Sequence, residues 1–379
     1  MKRGLPVLAV SLGCPSGIGP EVSVAAAASL EGARALLVGD QGVIERAARL
    51  RGVDVHRLVH LGHASDSSKL DAGAIGVLQP TERLSLRDAR PGRPSRQGGA
   101  AQLAWIDAAS DLVVHGHAAA LVTGPVSKSV IAASGVPTAA RFLGHTEHLQ
   151  RRLGAAEVVM AFAGETFTTA LVTTHLPLAR VSRAITEAAV ATAVFWLADL
   201  LSRLARPGAR PRVAIVSLNP HAGEGGLLGR EEANAIVPGM RLAQDRLDRA
   251  GVACDLRGPV PAETAFRHAA GGAYDGVVAM YHDQATIPMK LVGFGEAVNV
   301  SLGLPIIRTS VDHGTAYDIA GKGLADPRGM LSAMRLAVRL ATCPARVGPR
   351  SLRDVAATDE TSRRPRTRAR TRGFPPRST

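Results

Sequence analysis

Apolar residues recur along the chain in two alternating rhythms. Short runs rich in Val, Ile, Leu and Ala, closed by glycine, proline or a polar residue, read as buried strands. Longer stretches with apolar positions three and four apart read as helices. The pattern predicts strands over 5–12, 35–38, 118–123, 212–218, 253–256 and 276–280, and a strand pair over 157–163 and 167–174. Helices are predicted over 20–30, 43–51, 100–116, 186–205 and 231–251. The segment 87–99 is dense in Pro, Gly, Ser and Arg and reads as a loop. Strand and helix alternating in this way predict an α/β fold with a mostly parallel sheet. Beyond Val347 the apolar periodicity stops, which is the one sharp boundary.

Composition narrows the class. At 379 residues and 46% hydrophobic content the chain can bury a full core in one or two domains. No apolar run approaches the roughly 20 residues of a membrane-spanning helix. Aromatic residues make up only 3%, which argues against stacking platforms for single-stranded nucleic acid. Of the net charge of +13, residues 346–379 carry +7, from ten arginines against three acids. This segment reads as a disordered Arg/Pro-rich tail, and nucleic-acid binding through it is the weaker reading. The remaining charge is compatible with an anionic substrate.

The N-terminus superficially resembles a lipoprotein signal, with Met1-Lys2-Arg3, an apolar run to Leu12, and Cys14. The run is short and passes at once into Pro15-Ser16-Gly17-Ile18-Gly19-Pro20, so a first strand entering a glycine turn is preferred and no export is expected. Cys14, Cys254 and Cys343 are odd in number and scattered, which fits a reducing cytoplasm.

The candidate chemistry collects at strand ends. His175, His221 and His282 each close an apolar, strand-like run. The carboxyl ends of parallel strands line one crevice where ligands bind. Imidazoles brought to that rim suit zinc, cobalt or a similar ion. The spacings of 46 and 61 residues match no local metal motif. Around them stand further polar groups. Val122 to Lys128 ends a strand in a small loop and a lysine, and Gly144-His145-Thr146-Glu147 supplies an imidazole, a hydroxyl and a carboxylate together. Asn219 to Gly226 is a glycine-rich loop around His221, and Tyr281-His282-Asp283-Gln284 is followed by Lys290. Asn299 and Arg308 lie beside strand-like residues. Lysine and arginine converging on one pocket suit a phosphate or carboxylate. The segment 312–323 is polar and glycine-punctuated, and reads equally as a nucleotide-wrapping loop or a solvated one.

Taken together these segments resemble the 4-hydroxythreonine-4-phosphate dehydrogenase family of pyridoxine 5'-phosphate biosynthesis, over about residues 5–342. The resemblance implies an isocitrate/isopropylmalate dehydrogenase-like fold: two α/β domains, 1–138 with 305–345 and 139–304, and an active-site cleft between them. It implies His175, His221 and His282 as ligands of a divalent metal (zinc, magnesium or cobalt), with His282 donated across a homodimer that shares its active sites. His145, Thr146, Lys290, Asn299 and Arg308 fall on substrate positions. Asp312, His313, Gly314, Thr315, Ala316 and Asp318 fall on a loop that resembles the adenosine-side loop of decarboxylating dehydrogenases, which would bind NAD or NADP. Asp283 and Lys290 are the nearest candidates for proton transfer. The first loop departs from the family pattern at Cys14 and Ser16, which bears on the choice of substrate.

The implied activity is metal-dependent oxidation of 4-(phosphooxy)-L-threonine by NAD(P) in the cytoplasm. The same motifs allow 4-phospho-D-threonate or 4-phospho-D-erythronate as substrate. Phosphate acyltransferases share a related fold and form a more distant alternative, as does nucleic-acid binding by the tail.

Overall fold

The computed structural model describes residues 4–71, 73–293 and 295–343; the predicted tail lies outside them. Twelve strands form one sheet: β1 (Val7–Ser11), β2 (Arg34–Val38), β3 (Leu58–His60), β4 (Ile75–Leu78), β5 (Ala120–Thr123), β6 (Val159–Ala163), β7 (Thr168–Leu171), β8 (Arg212–Val216), β9 (Asp255–Val260), β10 (Gly276–Ala279), β11 (Val298–Leu302) and β12 (Arg308–Ser310). Eleven α-helices connect and cover them: α1 (Gly19–Ala28), α2 (Gln41–Leu50), α3 (Arg96–Val114), α4 (Lys128–Ala132), α5 (His145–Arg152), α6 (Leu178–Ala184), α7 (Glu187–Leu204), α8 (Val237–Ala250), α9 (Ala262–Ala270), α10 (His282–Val292) and α11 (Arg328–Thr342).

The spatial order is β3-β4-β2-β1-β5-β12-β11-β6-β7-β10-β8-β9. Pairing is parallel except in the middle, where β12–β11, β11–β6 and β6–β7 run antiparallel. This is the mostly parallel α/β sheet expected from the alternation. All residues of β1, β5, β7 and β10 are buried, so these strands have covered faces on both sides. That explains why they read as continuous apolar runs rather than as alternating ones. Strands from 1–138 and 305–345 occupy one end of this continuous sheet and strands from 139–304 the other, with β12 and β11 meeting in its middle.

Two local differences from the sequence reading have clear causes. Helix α3 starts at Arg96 instead of residue 100, because Ser95 caps it by accepting from the Gly98 amide at 2.9 Å. Gly98 and Gly99 looked like loop residues. A Cβ on Gly99 would lie 2.3 Å from the Val130 carbonyl oxygen, so this glycine serves the approach of the α4 segment. Strand β9 runs on to Val260 through Gly258 and Pro259, which an edge position at the end of the sheet tolerates. Strands β3 and β4 escaped the pattern because two of the three β3 residues are exposed and β4 contains Gly76.

The turns after β1 and β5 abut each other at the strand ends. The Cys14 amide donates to the Pro125 carbonyl at 2.8 Å. Gly13 has a φ of +75°, and a Cβ there would lie 2.3 Å from the same carbonyl oxygen. Gly13→Ala is therefore expected to lower stability by about 2–4 kcal/mol, through left-handed strain and the contact together. A urea midpoint unchanged from the parent would show that the two turns are not packed as described.

Candidate active site

The sheet order brings Thr123 and Ser310, at the ends of β5 and β12, beside Asn299 and Ser301 of β11. Arg308 lies among them and is only 3% exposed. Its Nη2 donates to Thr123 Oγ1 at 2.6 Å, and Nη1 to Ser301 Oγ at 3.0 Å and Asn299 Oδ1 at 3.3 Å. Each of these partners is neutral, and Nε is buried with no partner among the described residues. Burial lowers Arg308 to about 9, with the field of Glu147 opposing. It thus remains a cation at neutral pH, without a counter-ion against it.

Helix α5 presents three residues to the same cleft. Thr146 Oγ1 pairs with Ser301 Oγ at 3.0 Å. His145 packs edge-on to Phe142 with ring centroids 6.1 Å apart, and its Nε2 is buried without a partner among the described residues. Desolvation first, and then the fields of Arg308, His148 and Lys128, hold this imidazole well below its ordinary range, so it is neutral. Glu147 Oε1 lies 3.9 Å from His175 Nδ1. That imidazole holds the carboxyl below its ordinary range, against desolvation.

The ends of β7, β10 and β8 are lashed together by their own polar residues. Thr173 Oγ1 donates to the Met280 carbonyl at 2.7 Å, and Gln284 accepts from the Met280 amide at 2.7 Å while donating to the Ser217 carbonyl at 2.9 Å. Because β7 and β10 are parallel neighbours, His175 and His282 emerge side by side, with ring centroids 5.7 Å apart. Asp283 Oδ1 lies 2.7 Å from His282 Nδ1, which fixes that ring and leaves Nε2 free.

His221 does not join them. The segment Pro220–Gly226 turns away from the strand end through left-handed backbone at His221, Ala222 and Glu224, with φ of 50°, 53° and 45°. Its base is held by Glu232, which accepts from the Leu218 and Asn219 amides, and His221 itself is exposed. Among the described residues no group of three or more His, Cys, Asp or Glu is placed to hold a metal. Within one chain, then, two of the three expected histidines, His175 and His282, stand side by side.

The 312–323 segment is anchored rather than loosely solvated. Buried Glu21 accepts from the Gly321 amide, and from the Gly323 amide at 3.2 Å. The Thr315 carbonyl accepts from the Ile18 amide at 3.0 Å, and Tyr317 Oη meets Cys14 Sγ at 3.4 Å. Asp312 and His313 line the cleft; Gly314, Thr315, Ala316 and Asp318 lie outside its lining. Cys14 and Ser16 are buried beneath this loop and do not line the cleft either.

The cleft has a volume of about 220 Å3. Of the expected residues His145, Thr146, His175, His282, Asn299, Arg308, Asp312 and His313 line it. Lys290 does not: it pairs with Asp312 at 3.5 Å, and burial raises the Asp312 carboxyl against that pull. Asp283 is turned to His282 rather than to the cleft. Two lining residues, Lys128 and Glu147, belong to motifs the sequence singles out but are absent from the expected site set. Lys128 opens α4, which follows directly from the strand-end turn at Gly124-Pro125, and this spacing was the available signal.

A strand-end crevice with a buried cationic grip, two adjacent imidazoles and an anchored polar loop defines an α/β enzyme acting on a small anionic substrate. Residues 31–337 match the family model for pyridoxal phosphate biosynthetic protein PdxA. The chain belongs to this family. It is 40% identical to the 4-hydroxythreonine-4-phosphate dehydrogenase of Desulfosudis oleivorans, with 89% of this chain and 97% of that protein covered. Against the enzyme of that name from Chromobacterium violaceum the identity is 43%, with the same coverage. The crystal structure of 4-hydroxythreonine-4-phosphate dehydrogenase from Klebsiella pneumoniae superposes with a TM-score of 0.75 at 34% identity, covering 89% of this chain and all 100% of that one. The family and fold class implied by the sequence motifs are thereby borne out. Among the described residues no single helix is long and apolar enough to cross a membrane.

Acid sensitivity follows from His145. Its folded-state pKa is depressed, so below the unfolded value near 6.5 the unfolded chain binds the extra proton and stability falls with falling pH. Glu147, also depressed, adds a loss in the same direction only as pH drops below its ordinary value of 4.5. Urea midpoints at pH about 7.5 and about 5.5 separate the two effects. His145→Gln is expected to lose less stability than the parent over that step. An equal loss would mean that His145 is not held neutral.

Proposed function

We propose that this protein oxidises 4-(phosphooxy)-L-threonine at C3 with NAD or NADP, giving 2-amino-3-oxo-4-(phosphooxy)butanoate. That β-keto acid then loses carbon dioxide to give 3-amino-2-oxopropyl phosphate. The carrying observation is Arg308, a buried guanidinium whose bonded partners are all neutral. An anionic substrate group supplies the missing counter-charge, and the fork of donors suits a phosphate or carboxylate. Lys128 lines the same cleft and adds a second cation. His145 lines the same cleft.

The donor set at the rim fits a divalent ion in part. His175 and His282 are adjacent neutral-type ligands, and Asp283 orients His282 as an outer-shell carboxylate does. Imidazole donors favour zinc or cobalt over magnesium, which prefers oxygen. A bound ion of this kind would lower the pKa of the substrate hydroxyl and stabilise the alkoxide. A bound NAD or NADP would supply the hydride acceptor for C3, and Asp312 and His313 line the side of the cleft where the 312–323 loop would hold it. Asp283 and Lys290 then act as positioning residues for His282 and Asp312, in place of the proton-transfer role expected of them.

The third imidazole comes, in this reading, from His221 of a second copy, because its loop projects outward from the chain. Mixed dimers of His175→Ala with His221→Ala keep one complete site in two and should regain activity. Mixed dimers of His175→Ala with His282→Ala have no complete site and should stay inactive. Recovery in the second mixture, or none in the first, would overturn the shared-site arrangement. Loss of His221 alone should reduce metal content and turnover by at least about tenfold.

Substrate choice is tested by NADH or NADPH formation. The unphosphorylated 4-hydroxy-L-threonine leaves the buried cation unpaired, a loss of about 2–5 kcal/mol. Its kcat/KM should therefore be at least about thirtyfold below that of the 4-phosphate. Comparable values for the two would remove the phosphate grip. Faster turnover of 4-phospho-D-threonate or 4-phospho-D-erythronate would transfer the assignment to those acids.

A further inference from the structure

The polar loop 312–323 is tied repeatedly to residues 14–21. Its Thr315 carbonyl accepts from the Ile18 amide at 3.0 Å, and a Cβ on Gly17 would lie 2.7 Å from that same oxygen. Tyr317 Oη meets Cys14 Sγ at 3.4 Å. The turn carrying Gly92 is wedged against both segments. Its amide donates to the Ser16 carbonyl at 2.8 Å, and a Cβ on Gly92 would lie 3.0 Å from the Tyr317 carbonyl oxygen. The last tie is Glu21, in the first turn of α1.

Glu21 is only 4% exposed, and its two oxygens are spent on the Gly321 and Gly323 amides, 300 and 302 positions away in sequence. Both glycines are left-handed, with φ of 78° and 69°, and such a turn can aim two of its amides at one anion. Arg51 donates to the Gly323 carbonyl of the same turn. Amide bonds to an ionised carboxylate are about twice as strong as neutral ones. The shape of the loop is therefore set before any ligand arrives. What the ties leave free suits a dinucleotide. His313, Gly314 and Asp318 are exposed, and there is open space where a Cβ on Gly314 would stand. Glycine lets a ligand approach the backbone, and a carboxylate such as that of Asp318 suits ribose hydroxyls.

We propose that Glu21 is a positioning residue for the cofactor, which rests on reading the 312–323 loop as the dinucleotide site. It holds that loop in its binding shape, so that NAD or NADP binds without the cost of ordering it. Cys14 belongs to the same set of ties, and its departure from the family pattern then bears on the cofactor rather than on the substrate. Neither Glu21 nor Cys14 lines the substrate cleft.

Glu21→Gln tests this, because it keeps the size and one acceptor but turns an amide NH2 toward a backbone N–H. In the ligand-free protein, hydrogen exchange of the peptide 319–324 should quicken at least about tenfold in this variant. The dissociation constant of NADH, or of NADPH where the parent prefers it, should rise at least about tenfold by nucleotide fluorescence. The calorimetric affinity for 4-(phosphooxy)-L-threonine should stay within about twofold, since no cleft residue is changed. A second pair of variants serves if Glu21→Gln does not fold. Cys14→Ala should weaken dinucleotide binding about threefold, and Cys14→Ser, which keeps a partner for Tyr317 Oη, should restore it. The proposal fails if folded Glu21→Gln keeps the parental exchange or dinucleotide affinity, if substrate affinity falls along with it, or if Cys14→Ala and Cys14→Ser bind the dinucleotide alike. A parent that binds neither NADH nor NADPH would overturn the reading of the loop as well, whereas an unchanged variant beside a binding parent overturns the role of Glu21 alone.

Discussion

The site is organised around one uncompensated charge. A guanidinium taken out of water costs several kcal/mol unless it is paired and fully hydrogen-bonded. Arg308 is almost wholly buried, yet its bonds go to Thr123, Ser301 and Asn299, each neutral. The fold bears this cost by surrounding the group with strand-end hydroxyls that also bond one another, Thr123 to Ser310 and Thr146 to Ser301. Those hydroxyls are in place because β5, β12 and β11 are adjacent in the sheet. The antiparallel pairing of β11 in the middle of a mostly parallel sheet therefore has a chemical consequence. It sets Asn299 and Ser301 opposite the strand that carries the cation.

The same charge orders its neighbours. Together with desolvation, its field keeps His145 neutral, so the imidazole can accept or donate a hydrogen bond without adding a proton. Glu147 is the carboxylate whose field reaches Arg308, but it is drawn toward His175 rather than closing the ion pair. The cleft is left with an unspent positive charge on one side and paired imidazoles on the other. This polarity suits a substrate with an anionic end and a hydroxyl to be oxidised. The family's dehydrogenase activity follows that division of labour.

Much of this was legible in the sequence, for a physical reason. Strands buried on both faces produce unbroken apolar runs, so their carboxyl ends, and the polar residues just past them, can be read off directly. That is why His175, His282, Thr146 and Arg308 stood out. The chain rhythm carries no information on which way a loop turns after its strand. His221 looked equivalent to the other histidines, but left-handed backbone at 221, 222 and 224 takes it elsewhere. Lys290 looked like a free cation because nothing local shows that Asp312, 22 positions away in sequence, folds back on it.

The central claim is that Arg308 is held for binding at the expense of stability, and Arg308→Met tests it most directly. Binding of 4-(phosphooxy)-L-threonine by titration calorimetry and stability by urea unfolding are measured on the same preparations. With the buried charge removed and the hydroxyl pairs left to one another, the ligand-free variant should be as stable as the parent or more so, by about 1–3 kcal/mol. Its affinity for the phosphorylated substrate should fall by at least about a hundredfold. A variant that unfolds several kcal/mol more easily while keeping the affinity would show that Arg308 serves the fold rather than the substrate, and would contradict the account.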